Sequence, residues 1–272
     1  MNTTQIEKAA RFRALHQRYG VLLIPNPWDA GSARLLAHLG FEALATSSAA
    51  SAGTLGRTDG KISRDEALAH VRQIVQATDL PVSGDLENGF SPEPTCVAET
   101  IRLAAETGLV GGSIEDYTGD PQKPQYDLHH AMERIAAAVS VAKGLPFPFT
   151  LTARAENFIR GNPNLDDVIQ RLVAYEQAGA DVLFAPALPD LQAIREVCAA
   201  VRKPVNFMVG VKGKSFTVAE LAAAGVKRIS FAGSLYRAAM TGLLNAASEI
   251  KGTGTFNYLQ STLTTAELNF HF

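Results

Sequence analysis

Three short segments carry acids and one arginine at spacings that could serve one site. Ser83-Gly84-Asp85-Leu86-Glu87-Asn88-Gly89 sets Asp85 and Glu87 two residues apart. On a strand both would point to one face while Leu86 points to the other. A second apolar run ends Ser113-Ile114-Glu115-Asp116, and a third ends Thr152-Ala153-Arg154-Ala155-Glu156-Asn157. If the three runs are neighbouring strands, Asp85, Glu87, Glu115, Arg154 and Glu156 meet at one rim. Carboxylates gathered around a single arginine repel strongly away from water. A divalent cation removes that difficulty, and an all-oxygen ligand set selects Mg²⁺ or Mn²⁺ over Zn²⁺. The histidines, His16, His38, His70, His129, His130 and His271, all fall on predicted helices or the tail. No imidazole is expected at a strand end.

The elements that must position these groups repeat regularly. Eight short apolar runs follow a first helix over about Thr4 to Tyr19: Val21–Pro25, Ala43–Ser47, Pro81–Asp85, Gly112–Glu115, Phe149–Arg154, Asp181–Ala185, Pro204–Val209 and Arg228–Ala232. In the first helix Ile6, Ala10, Phe12 and Leu15 are spaced for one buried face. Amphipathic stretches lie between the runs: Arg64–Thr78, Pro94–Thr107, Leu128–Lys143, Leu165–Gln177, Leu191–Val201 and Val218–Ala224. Gly40, Gly108, Gly144, Gly179 and Gly225 sit where helix C-caps are needed. Strands that read as continuous apolar runs belong to a parallel sheet covered by helices. Eight βα units in this length predict one α/β domain over 1–272, a (β/α)₈ TIM barrel with an N-terminal helix. An open doubly wound sheet is the rival, but no Gly-x-Gly-x-x-Gly follows the first run. Residues 252–272 break the rhythm. Their apolar side chains, Phe256 to Phe272, predict a helical extension packed on the chain's own barrel or exchanged with a partner.

The second run ends Thr46-Ser47-Ser48-Ala49-Ala50, followed by a loop with Gly53, Gly56, Arg57 and Asp59. Its small residues would let backbone N–H groups approach a carboxylate. Gly210-Val211-Lys212-Gly213-Lys214-Ser215 looks like a phosphate loop, but its glycines are spaced too closely. Lys212 and Lys214 remain candidates for an anion after strand seven. Cys96, read as mid-helix and away from the rim, predicts packing rather than nucleophilic chemistry. The net charge of −2 with scattered Lys and Arg gives no case for nucleic acid or an anionic membrane. The N-terminus lacks an apolar signal region, and no run approaches the roughly 20 residues of a membrane span, so a cytoplasmic protein is expected.

With those residues in place, the chain resembles the isocitrate lyase/phosphoenolpyruvate mutase superfamily, in its methylisocitrate lyase and phosphonomutase-like branch. The resemblance runs from Pro25-Asn26-Pro27-Trp28-Asp29-Ala30-Gly31-Ser32-Ala33-Arg34 to Phe231-Ala232-Gly233-Ser234, and is most specific at the segments around Asp85, Glu115 and Arg154. It implies that Asp85 contacts Mg²⁺ (or Mn²⁺) directly and that Glu87 and Glu115 hold the metal's waters. Asp59 would be an acid of the loop after strand two. Ser47, Ser48 and Ala49 would grip a small carboxylate substrate, and Arg154 would hold it and offset developing charge. Glu156 and Asn206 complete the expected substrate contacts, with Phe184, Pro186 and Met208 shaping the pocket. Relatives swap a C-terminal helix and form tetramers, so a homo-oligomer, dimer or tetramer, is implied. One departure stands out: the loop Tyr117–Asp127 lacks the lyases' Lys-Lys-Cys-Gly-His, leaving Tyr117 or Lys123 as replacement acid/base. Strand six also carries Phe184-Ala185-Pro186 where the mutases place a histidine. The resemblance therefore implies a Mg²⁺-dependent lyase that breaks a C–C bond of a small 2-oxo or 2-hydroxy acid through an enolate, as an oxaloacetate decarboxylase or methylisocitrate lyase does. Phosphonopyruvate P–C chemistry and a non-catalytic 2-oxo acid-binding barrel are the alternatives.

Overall fold

A computed structural model describes residues 3–214 and 216–272. Eight parallel strands run β1 (Leu22–Ile24), β2 (Leu44–Ala45), β3 (Val82–Asp85), β4 (Gly111–Glu115), β5 (Thr150–Arg154), β6 (Val182–Phe184), β7 (Val205–Met208) and β8 (Arg228–Ser230). From β2 to β8 each pairs with the next in sequence, and β8 returns to β1. The remaining seam between β1 and β2 is closed by Ala45 N–H donating to Pro25 O at 3.0 Å. Buried Asn26 reinforces the closure: its Nδ2 donates to Thr46 O and its Oδ1 accepts from Phe231 N–H, both at 2.8 Å. This is the (β/α)₈ barrel that the eight apolar runs predicted.

The covering helices are α1 (Gln5–Gln17), α2 (Ala30–His38), α3 (Ser48–Thr54), α4 (Arg64–Gln76), α5 (Pro94–Glu106), α6 (Leu128–Gly144), α7 (Leu165–Ala178), α8 (Leu191–Ala200), α9 (Val218–Ala223), α10 (Ser234–Thr253) and α11 (Thr265–Asn269). Gly40, Gly108, Gly179 and Gly225 take positive φ between 86° and 102°, as C-cap glycines do. Gly144 does not, because α6 runs through it and ends extended at Leu145. Two further expectations are corrected. The face of α1 that plugs the barrel floor is Lys8, Ala9, Phe12, Leu15 and His16, while Ile6 and Ala10 face solvent. Phe12 lies against Gly111 at the strand bottoms, where a Cβ on residue 111 would sit 2.9 Å from its ring. The glycine-bearing segment after β2 begins as helix α3 rather than plain loop, because Ser47 Oγ caps it by accepting from Ala50 N–H at 3.4 Å.

The C-terminal arm covers little of the barrel. Of the fifteen exposed large apolar side chains among the described residues, nine lie between Leu243 and Phe272. The last turn folds back on α2, where Phe270 meets His38 edge-on at 5.1 Å between ring centroids. No helix among the described residues is long and apolar enough to cross a membrane.

The His16 imidazole on the barrel floor sets one acid-sensitive element of the fold. Its Nδ1 donates to Phe12 O at 2.8 Å, and Nε2 faces Arg228 Nη1 at 3.4 Å. Burial and the Arg228 charge push its pKa down to about 3. The folded pKa lies below the unfolded one near 6.5, so this stability is complete above about pH 6.5 and is lost as pH falls toward 3. Between pH 6.5 and 5 the loss is roughly 2 kcal/mol. Urea unfolding of wild type and His16→Gln at pH 7.5 and pH 5 should show a smaller acid loss in the variant. The carboxylates whose pKa is raised act in the opposite sense in both proteins, so the difference isolates His16.

Candidate active site

The C-terminal strand ends bring the expected acids together around Arg154. Its Nη1 donates to Asp85 Oδ1 at 3.0 Å, Nη2 lies 3.0 Å from Glu115 Oε2, and Nη2 also donates to Glu156 Oε1 at 2.9 Å. Strands β3, β4 and β5 are consecutive neighbours, which is why three sequence segments meet at one point. The ring of Phe184 closes the other side of the guanidinium, 5.1 Å away. Arg160, on a short 3₁₀ turn after β5, adds a second cation 3.3 Å from Glu115 Oε1 and 3.2 Å from Glu156 Oε2. The sequence reading missed Arg160, although it lies only six residues past Arg154.

Glu87 reaches the rim by a different route from the one its spacing implied. β3 ends at Asp85, and Glu87 takes a left-handed φ of 48°, so a turn rather than strand alternation aims its side chain. That turn is pinned from below. Arg134 of α6, 1% exposed, donates to the backbone oxygens of Asn88, Ser91 (3.0 Å), Pro92 (3.1 Å) and Glu115 (3.1 Å). Asp116 performs a similar task behind β4: it accepts from Glu156 N–H at 2.9 Å, Arg171 Nη1 at 3.0 Å and Tyr175 Oη at 2.7 Å. Arg134→Met would leave four carbonyls without their donor, so we expect a stability loss of about 3 kcal/mol and faster proteolysis at 87–92. Urea unfolding and limited proteolysis measure both.

Burial dominates the electrostatics. It pushes the Glu87 carboxyl up to about 7, with Asp85 and Asp59 adding repulsion. Burial, then the charge of Glu156, holds Glu115 well above the usual carboxylate range against the pull of Arg154. Glu156 is raised by burial, with Arg154 and Arg160 opposing. Glu87 Oε1 is buried with no hydrogen-bond partner. Fully ionised, the cluster would carry more negative charge than its two guanidiniums balance, which is why these acids hold their protons more tightly than usual. Among the described residues no three His, Cys, Asp or Glu side chains approach closely enough to ligate one ion directly. A divalent ion here would take fewer than three of these side chains directly and keep water on its other positions, as Mg²⁺ commonly does.

A cavity of about 550 Å³ opens beside these groups, lined in part by Ser47, Ser48, Ala49, Asp59, Asp85, Arg154, Glu156 and Asn206. Ser48 N–H is directed to Asp85 Oδ2 at 2.9 Å, so this amide positions an acid instead of facing the cavity free. Asn206 lies within β7, 1% exposed, with its Nδ2 donating to Ser230 Oγ at 3.0 Å. Lys212 lines the same cavity. Lys214 instead donates to Ala187 O at 2.9 Å, and Ser215 lies outside the described residues. A second cavity on the loop side is bounded by Glu87, Glu115, Asp59, Tyr117 and Arg160, whose guanidinium stacks 3.7 Å over the Tyr117 ring. Lys123 sits exposed on the folded turn beyond, where Thr118 Oγ1 holds its carbonyl at 2.6 Å. Cys96 is a correction: it occupies the first turn of α5 and lines this loop-side cavity, because α5 starts at Pro94. Both cysteines are free.

The chain is similar to known proteins over nearly its whole length. The phosphoenolpyruvate phosphomutase family model matches residues 12–251. The 2-methylisocitrate lyase of Escherichia coli strain K12 is 31% identical over 265 residues, covering 93% of this chain and 88% of its own. A Burkholderia cenocepacia J2315 protein provisionally classed as a lyase/mutase superposes with a TM-score of 0.96 at 55% identity, covering 98% of this chain and 96% of its own. The structure of 2,3-dimethylmalate lyase superposes with a TM-score of 0.86 at 25% identity, over 97% of this chain and 94% of its own.

Proposed function

Because the chain belongs to the isocitrate lyase/phosphoenolpyruvate mutase superfamily, we propose that it is a Mg²⁺-dependent lyase that cleaves a C–C bond of a small 2-oxo or 2-hydroxy carboxylic acid. The observation that carries this reading is the convergence of Asp85, Glu115 and Glu156 on Arg154 from three adjacent strand ends, beside the unpartnered buried oxygen of Glu87. In this proposal Asp85 contacts the ion, and Glu87 and Glu115 hold its waters. The ion, when bound, supplies Lewis-acid stabilisation of the oxygen on which negative charge develops. Arg154 orients the substrate and adds a fixed positive charge to the same oxygen. Ser47 and Ala49, on the cavity wall, receive the carboxylate.

The loop after β4 carries no thiol, which suits decarboxylation of a 2-oxo acid: CO₂ leaves and the product carbon then needs one proton. Tyr117 borders the loop-side cavity with Glu87 and Glu115, so its Oη is the group we assign to return a proton to the product carbon. The relatives named above include lyases for 2-methylisocitrate and 2,3-dimethylmalate, both branched hydroxy acids. The test is Mg²⁺-dependent turnover by purified protein on oxaloacetate, 2-methylisocitrate, isocitrate, substituted malates, phosphonopyruvate and phosphoenolpyruvate. Pyruvate or another 2-oxo acid released from a carbon substrate supports the lyase. Phosphate or phosphonate chemistry alone would replace it with P–C cleavage, and oxalate binding without any turnover would make the barrel a binding protein.

We further propose that the partner of the apolar C-terminal arm is a second copy of the chain. Leu243 and Leu244 are 61% and 65% exposed on α10, and the apolar residues continue through the tail. Light scattering should report a dimer or tetramer, and Leu243→Glu with Leu244→Glu should give a monomer. A monomeric wild type at micromolar concentration would remove this part of the reading.

A further inference from the structure

Arg228 opens β8 and lines the active-site cavity from within the barrel, with 5% of the residue exposed. Its Nε donates to Asn206 Oδ1 at 2.8 Å and its Nη1 lies 3.4 Å from His16 Nε2. Both partners are neutral. The other charge it senses is that of Arg154, which, after burial, helps to push Arg228 down to about 9. It therefore stays a cation at neutral pH with no carboxylate paired to it among the described residues. The other buried guanidiniums are compensated. Arg154 has three carboxylates, Arg171 has Asp116 and Asp167, and Arg134 has four backbone carbonyls.

A buried cation left without an anion is strongly unfavourable, and hydrogen bonds to neutral partners do not offset that cost. Its retention at the wall of an open cavity calls for an anion that arrives with the ligand. Next to it, Ser230 Oγ accepts from Asn206 Nδ2 at 3.0 Å, so its own hydrogen is free for the same acceptor. We propose that Arg228 binds a second anionic group of the substrate, so that the cavity selects small dianionic acids over monocarboxylates. This rests on reading the cavity as the substrate site: one carboxylate lies near Ser47 and Ala49, and the second anionic group, carboxylate or phosphonate, reaches Arg228.

The test is isothermal titration of the full-length protein in Mg²⁺ buffer with malate, lactate and 2-hydroxy-3-phosphonopropionate, which share a 2-hydroxy acid end. Wild type should bind one or both dianions at least about tenfold more tightly than lactate, an order of magnitude set by one charge-assisted contact. The tighter of the two names the terminal group. Arg228→Met should lose that preference and bind lactate as wild type does. Arg228→Lys should keep a weakened preference. Equal weakening of all three ligands, or a preference that survives in Arg228→Met, would overturn the proposal. So would a wild type with no preference. The lyase reading is scored separately: absence of Mg²⁺-dependent turnover overturns it whatever the titrations give, and turnover with no dianion preference overturns only the role of Arg228.

Discussion

Arg154→Met is expected to lower kcat/KM by about 10²–10³-fold and to destabilise the protein by about 3–5 kcal/mol. The first effect follows from removing a fixed cation at the point where substrate charge develops. The second follows from burial: Glu156 is wholly inaccessible and Glu115 only 5% exposed, so both lose their shared partner where water cannot replace it. Arg160 still reaches both, at 3.2 Å and 3.3 Å, which keeps the cost within that range. The sign of the pH dependence separates this from a packing defect. Without Arg154 the folded-state pKa values of Glu115 and Glu156 rise further above their unfolded values. Carboxylates raised in this way are protonated in the fold at low pH, and the fold pays increasingly as pH climbs through the unfolded value. The deficit of the variant relative to wild type should therefore be larger at pH 7.5 than at pH 5 in urea unfolding. A deficit independent of pH, or unchanged turnover, would remove Arg154 from the role assigned to it.

The barrel was legible because each strand is a short continuous apolar run, which is what a sheet buried on both faces requires. The meeting of Asp85, Glu115 and Arg154 was legible for a related reason: in this topology sequence neighbours are spatial neighbours. What escaped were charges whose burial depends on tertiary packing. Arg134 lies on the buried stripe of α6 with Ala131, Ile135 and Ala138, and Arg171 lies likewise with Val168, Leu172 and Tyr175 on α7. A cation inside an apolar stripe was the available signal in both cases. Arg228 gave the same sign at the head of an apolar run. The orientation of α1 escaped because its mixed composition offers two faces of similar apolarity, and only the plug made by Phe12 chooses between them. Glu87 was placed at the rim for an incomplete reason, since its left-handed backbone depends on the carbonyls that Arg134 gathers beneath the turn.

Asp85→Ala should abolish Mg²⁺-dependent turnover, a fall of at least about 10³-fold or roughly 4 kcal/mol of transition-state stabilisation. The fold should survive. Arg154 retains Glu115 and Glu156, and the Asp85 side chain is 15% accessible, so the Ser48 amide can turn to water. Removing this carboxylate also removes the second-largest contribution to the raised Glu87 pKa. The metal-free variant should consequently hold Glu87 ionised to lower pH than wild type, where it titrates near 7. Proton uptake measured by titration, alongside Mg²⁺ binding by calorimetry, checks both consequences without relying on activity. Mg²⁺ affinity should fall at least about tenfold while thermal unfolding stays cooperative. Retained Mg²⁺-dependent turnover in Asp85→Ala would mean that the ion is held elsewhere, and then the orphaned oxygen of Glu87 would no longer mark its position.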